Sequence, residues 1–210
     1  MKAFDKKKHW NSIYQSKAAN EVSWYEQTPA TSLAFFNQLQ ISRTAKIIDI
    51  GGGDSLLADH LLALGYEHIT VLDISETAIQ KAKKRLGQQA NRVHWIVADA
   101  AHFKSAEQYD VWHDRAAFHF LTSDQDISNY IETAQKGIVP NGVLIVGTFS
   151  KQGPTTCSGI KIKQYSQRSM ADRFKAFFKK IQCITIDHRT PFNTLQHFVF
   201  CSFRKPAVIN

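Results

Sequence analysis

Three acidic residues and a run of glycines carry the first chemical suggestion in this sequence. Asp49 opens the stretch DIGGGDS, Asp73 ends the run VLD within VLDIS, and Asp99 stands in VADA. Each follows a short apolar run that reads as a β-strand, so each falls at a strand's carboxyl end, where ligands of open α/β sheets bind. Glycine permits positive φ and lets a ligand approach the backbone without a Cβ in the way. Gly51 and Gly53 begin a G-x-G-x-x-G pattern, but the position that should be small is Leu56, which argues against a dinucleotide pyrophosphate. An acid two places before the first glycine, Asp49, suits a cationic amino-acid ligand instead. Asp73, 24 residues further on, can accept both hydroxyls of a ribose. Ile74 can pack on an adenine face, and Asp99 can accept from its amino group. Taken singly, a glycine run reads as a tight turn and a strand-end Asp as a helix cap. Three acids on successive strand ends make a nucleoside site the expectation.

A second group of reactive side chains lies in YDVWHDRAAFHFL, Tyr109–Leu121, at the end of a fourth strand. His113, Asp114 and His119 are its candidate bases, each with the alternative of a purely structural role, and Arg115 is a candidate holder of a carboxylate. Upstream, EVSWYE places Trp24 and Tyr25 where they either cover a ligand or staple an N-terminal helix. GPTTCSG, from Gly153 to Gly159, reads as a substrate-side loop in which Cys157 packs or forms the rim. The stretch His188–Phe198 either reaches the pocket with its tip or is plain strand and turn. The nine histidines include no H-E-x-x-H and the three cysteines no C-x-x-C, so no metal is expected.

These side chains need a scaffold, and its elements alternate. Strands are expected at Lys46–Ile50, His68–Ile74, Val93–Asp99, Tyr109–Asp114 and Val143–Phe149. Helices are expected from Asp54 to Leu64, from a Ser75 cap to a Gly87 stop, and from Asp124 to Gly137, with Pro140-Asn141-Gly142 as a turn. A Ser166 cap starts another helix, with Met170, Phe174, Phe177 and Ile181 on one face. Strands at Cys183–Arg189 and Gln196–Arg204 are joined by only six residues, Thr190–Leu195, which demands an antiparallel pair. The expected fold is α/β, a three-layer sandwich around a seven-stranded, mostly parallel sheet with an antiparallel terminal hairpin strand. Residues 1–210 read as one domain: a helical cap over the site in 1–45 and a Rossmann-like core in 46–205.

Composition fits that reading. The 210 residues are 43% hydrophobic and 21% charged, with no apolar run approaching the roughly 18 residues that span a bilayer. MKAFDKKKHW has no apolar stretch behind its basic residues, so a secretory signal is not expected. The sparse cysteines suit a reducing compartment, with Cys183 and Cys201 packing as small hydrophobes, and a cytoplasmic location is expected. The net charge of +8 gathers at Lys6–Lys8, Lys81–Arg85, Lys179–Lys180 and Arg204–Lys205. These read as solvated faces or as attraction to an acidic partner; no nucleic-acid module is present.

IIDIGGG, VLDIS and IVADA resemble the nucleoside-binding motifs of class I S-adenosylmethionine-dependent methyltransferases, over about residues 20–205. The resemblance implies that Asp49, Gly51 and Gly53 surround the cofactor's methionine part, Asp73 holds the ribose, and Asp99 and Ala100 contact the adenine. Ser55 stands where the family has a third glycine. EVSWYE resembles a segment of a methyltransferase-like group that includes protein lysine methyltransferases, where Trp24 and Tyr25 would face the sulfonium. HDRAAF resembles the D-R-G or D-K-G segment of thiol and thiopurine methyltransferases and of that lysine branch, with Ala116 in place of the glycine, and no N-P-P-Y motif is present. The implied activity is direct, in-line methyl transfer to sulfur or nitrogen of a small molecule. A protein lysine acceptor, and a nucleoside-binding regulatory protein without turnover, are the alternatives. Acceptor and oligomeric state stay open.

Overall fold

Short apolar strands alternate with amphipathic helices along the chain. In order they are α1 (Lys6–Ser16), α2 (Ala30–Gln38), β1 (Lys46–Ile50), α3 (Leu57–Ala63), β2 (His68–Asp73), α4 (Glu76–Leu86), β3 (Val93–Val97), β4 (Tyr109–Arg115), α5 (Asp124–Gly137), β5 (Ile138–Phe149), β6 (Thr156–Cys157), β7 (Ile160–Lys161), α6 (Gln167–Phe174), β8 (Lys179–Arg189) and β9 (Leu195–Arg204). The computed structural model describes residues 4–207. No described helix is long and apolar enough to cross a membrane.

The seven-stranded sheet runs β3-β2-β1-β4-β5-β9-β8, and β6 pairs with β7 apart from it. β1 to β5 are parallel, while β9 is antiparallel to both β5 and β8. The order reverses between β1 and β4, which opens a crevice at their carboxyl ends.

Strand alternation divides the core between the two faces of the sheet. Ile48, Ile50, Trp112 and Leu144 pack on one side with Tyr130 of α5 and Phe174 of α6. Ile47, Val111 and Ile145 pack on the other with Phe35 and Phe36 of α2 and Leu61 of α3. Removing such side chains from water contributes about 1.5–3 kcal/mol each, so both faces are firmly covered.

The helix ends follow local chemistry. Ser75 Oγ accepts from the Ala78 N–H at 3.1 Å, and Ser123 and Ser166 cap α5 and α6 in the same way. Gly87 closes α4 at φ +56°.

Four expectations need correction. α3 starts at Leu57 rather than Asp54, because residues 51–56 are spent in the glycine turn. Pro140-Asn141-Gly142 does not precede β5 but interrupts it: Tyr109 already pairs with Ile138, and pairing resumes at Val111 with Val143. α6 stops at Phe174, and the chain has become β8 by Lys179, so Phe177 and Ile181 are exposed while Phe178 takes the buried place. Cys183 and Cys201 do not pack as separate thiols; they face each other in the β8–β9 register and form a disulfide. That bond withdraws the support that sparse cysteines lent to a reducing compartment.

Candidate functional site

The glycine turn is built by β1 and closed by β2. The N–H of Gly51 donates to Leu72 O at 2.7 Å, with φ +67° at Gly51 and +42° at Gly53. A Cβ on Gly51 would lie 2.6 Å from the Ala117 Cβ, and one on Gly53 would lie 2.7 Å from Asp73 Oδ2. From α4, Arg85 braces the loop beyond the glycines. It pairs with the Asp54 carboxylate, donates to Ser55 O at 2.9 Å and meets both Asp59 oxygens.

Two cavities open above the strand ends and share Tyr14, Trp24, Gly51 and Arg115. The second is floored by Asp73, Ile74, Asp99 and Ala100 and walled by Trp10, Phe120, Phe149 and Cys157. Asp73 is buried, and one of its oxygens accepts from Ser75 N at 2.7 Å. Burial pushes its carboxyl up to about 7; the Ser75 N–H opposes this and the nearby Asp49 adds to it. A ligand that donates hydrogen bonds to Asp73 would restore what the charge lost on leaving water. Asp99 accepts from Ala101 N at 2.9 Å and lies 3.7 Å from Lys6 Nζ.

The first cavity is lined by Asp49, Gly51, Gly52, Ser32, His113 and Tyr25, among others. Asp49 Oδ1 accepts from His113 Nδ1 at 2.7 Å, and His113 Nε2 meets Ser32 Oγ at 2.8 Å.

Alternation along β4 decides the fate of the candidate bases. His113 points toward Ser32 of α2 and Arg115 toward Trp24 and Glu26, while Asp114 points to the opposite face. Asp114 Oδ1 accepts from the N–H groups of Ala117 and Phe118, and Oδ2 from Tyr130 O–H at 2.7 Å. Its carboxyl, raised by burial to about 6, braces the turn after β4 and does not line either cavity. His119 is also fully buried outside both linings. Its Nδ1 accepts from Phe149 N–H, and burial, then the charge of Arg115, push it down to about 3. Both of these candidate bases therefore lie outside the linings of the two cavities.

Arg115 instead anchors the segment that carries Trp24 and Tyr25. It donates to Trp24 O at 2.9 Å, sits 3.1 Å from Glu26 Oε1 and stacks on Phe198 at 5.2 Å. From β8, His188 donates through Nε2 to Ser23 O at 2.8 Å and presents Nδ1 to the same Glu26 oxygen at 3.2 Å. The loop end of the β8–β9 hairpin therefore holds the segment through His188, while Phe192 and Leu195 beside it are exposed. Burial of Glu26 opposes its ionisation, but the His188 hydrogen bond and Arg115 outweigh it and hold the carboxyl below its ordinary range.

Sequence reasoning missed the α1 contribution. Trp10 and Tyr14 sit one turn apart on a helix capped by Asp5, and both line the second cavity. α1 is tied down by Asn11 Oδ1, which accepts from Ser75 Oγ at 2.9 Å and Thr77 N at 3.2 Å. The i, i+4 aromatic spacing behind a capping Asp was a readable sign of a packed face; which face it met was not. Among the described residues no cluster of metal-ligating side chains occurs.

Residues 47–142 match a family model described as a methyltransferase domain. The eEF1A lysine and N-terminal methyltransferase of Mus musculus is 25% identical over 128 residues, 60% of this chain and 18% of that protein. The ubiquinone biosynthesis O-methyltransferase of Rickettsia canadensis (strain McKiel) is 23% identical over 120 residues, 57% of this chain and 49% of that one. The chain thus spans half or less of the length of these curated relatives. Among solved structures, one reported for conversion of a disulfide bond into a thioacetal group during echinomycin biosynthesis superposes with TM-score 0.75 and 19% identity, covering 97% of this chain and 94% of that one. The Burkholderia thailandensis 1,6-didemethyltoxoflavin-N1-methyltransferase, bound to its substrate and S-adenosylhomocysteine, gives 0.69 and 16%, covering 95% and 84%.

Proposed function

We propose that this chain is a class I methyltransferase, a reading supported by its fold and by the family match over residues 47–142, and that it uses S-adenosylmethionine to methylate sulfur or nitrogen of a small molecule. One observation carries the reading. Asp49 and Asp73 stand at the ends of β1 and β2, and Asp99 stands two residues past the end of the adjacent β3, around a glycine turn in which a Cβ would strike Asp73 or Ala117. That cradle fits a nucleoside joined to an amino acid.

The cofactor supplies a methyl group already activated on a sulfonium. The chain's own work is then binding, alignment and exclusion of water. Asp73 would hold the ribose, Ile74, Asp99 and Ala100 the adenine, and Asp49 with Gly51 and Gly53 the methionine part. Trp24, Tyr25 and Arg115 would close the segment over it, and Trp10 and Phe120 keep water from the reacting centre. Beyond the acids assigned to the nucleoside, the described residues that line the second cavity include no ready base. Cys157 is raised to about 11 by burial. This favours a thiolate or a neutral amine over an alcohol, which would need its proton removed. The core in 46–205 and the cap in 1–45 would act as one unit.

A protein lysine acceptor is the second reading. It draws on the likeness to a lysine methyltransferase and on the net charge of +8, which suits an acidic protein partner. Calorimetry with S-adenosylhomocysteine tests the cofactor, and absence of binding would sink the reading. Radiolabelled methyl transfer to cell extract, fractionated into protein and small molecules, tests the acceptor. Label in protein alone favours the second reading, and binding without transfer favours a regulatory nucleoside binder.

A further inference from the structure

Ser32, His113 and Asp49 form an unbroken hydrogen-bonded chain, and all three are buried. It crosses three elements: the first turn of α2, the middle of β4 and the end of β1. A carboxylate only accepts, so His113 Nδ1 must carry the proton donated to Asp49 Oδ1. In the neutral ring the remaining nitrogen, Nε2, accepts from the Ser32 hydroxyl, which fixes both tautomer and ring orientation. The other Asp49 oxygen, Oδ2, turns over Gly52 in the cavity wall.

We propose that Ser32 and His113 are positioning residues for the cofactor, and that His113 is not a base for the acceptor. Through His113, Ser32 holds Asp49 so that Oδ2 faces the ammonium of the cofactor's amino-acid end. Cofactor affinity is thereby tied to the docking of α2, which carries Ser32 from the N-terminal cap. This deepens the proposed function and rests on it. The chemistry at the methyl group does not pass through the relay, because both ring nitrogens of His113 are already engaged.

The first test is independent of turnover. Long-range proton–nitrogen NMR of the wild-type protein should show the His113 ring protonated at Nδ1 and bare at Nε2. A ring protonated only at Nε2 would overturn the proposal. The second test is S-adenosylhomocysteine binding by calorimetry together with steady-state kinetics. Ser32→Ala should weaken binding roughly tenfold, the effect of losing one charge-coupled hydrogen bond, and raise the cofactor KM while leaving kcat unchanged. His113→Asn, whose amide can still donate to Asp49, should retain more affinity than His113→Leu, with thermal melts confirming that each variant is folded. If His113 were the base, His113→Asn would instead cost about 10²–10⁴ in kcat, and the proposal would fall. A wild-type protein that binds no S-adenosylhomocysteine overturns the proposed function and this inference together. Binding by the wild type with equal affinity in Ser32→Ala overturns this inference alone.

Discussion

The carboxylate of Asp49 occupies the place that a side chain on residue 52 would need: a Cβ built on Gly52 lies 2.5 Å from Asp49 Oδ2 and 2.9 Å from Val71 Cγ1. Gly51 and Gly53 owe their identity largely to positive φ. Gly52 owes its identity to this close approach, which brings the carboxylate onto the backbone of the loop. The acid and the middle glycine are therefore one unit of structure.

Gly52→Ala should accordingly displace Asp49 and cost most of the cofactor affinity. Because both contacts are to packed groups, destabilisation of about 1–3 kcal/mol from overpacking is also expected. Calorimetry with S-adenosylhomocysteine and a thermal melt separate the two effects. Near wild-type affinity would show that the loop tolerates the shift.

Asp73 should make cofactor binding pH-dependent. Ribose hydroxyls donate to the ionised carboxylate, and burial raises this carboxyl to about 7. Affinity should be flat above pH 7 and weaken about tenfold per unit below it. The sign for stability is opposite. A folded pKa above the unfolded value means stability is fully present below about pH 4 and is lost from this group as pH rises toward 7. Asp73→Asn should flatten both profiles, and a pH-independent affinity in the wild type would refute the assignment.

Ala116 holds φ +67°, in the left-handed region that favours glycine, at the position where the resembling D-R-G segment has glycine. Such a conformation costs a non-glycine residue about 1 kcal/mol or more, offset in part by the greater chain entropy of unfolded glycine. Ala116→Gly should leave Tm unchanged or raise it slightly, and Ala116→Val should lower it by several degrees. A marked loss on Ala116→Gly would mean that its methyl, which lines the second cavity, contributes packing that outweighs the strain.

The β8–β9 disulfide sets a thiol count. Denatured without reductant, the chain should show one reactive thiol, that of Cys157, and three after reduction. With Cys183 and Cys201 separated by 18 positions, loop-closure entropy sets a contribution of up to about 3 kcal/mol. Reduction should therefore lower Tm while sparing cofactor affinity, since neither cysteine lines a cavity. Three thiols before reduction would remove the bond from the account.

What the sequence determined by itself is local or periodic. Apolar runs ending in Asp49, Asp73 and Asp99 implied parallel strands whose carboxyl ends converge, because that topology puts them on one side of the sheet. Ser75, Ser166 and Gly87 punctuated helices through hydrogen bonds and φ values set within a few residues. The alternation in YDVWHDR was also there to be read: it sends His113 and Arg115 to one face and Asp114 to the other.

Only the tertiary structure decided which partners those faces meet. Ser32 and His113 are 81 positions apart, and Arg115 and Trp24 are 91 apart. No spacing rule encodes such contacts, because they depend on how α1 and α2 fold back over the strand ends. That return placed Trp10 and Tyr14 in the cavity. It also set Ser32 against His113, on the face of β4 opposite to the one from which Asp114 meets Tyr130 of α5.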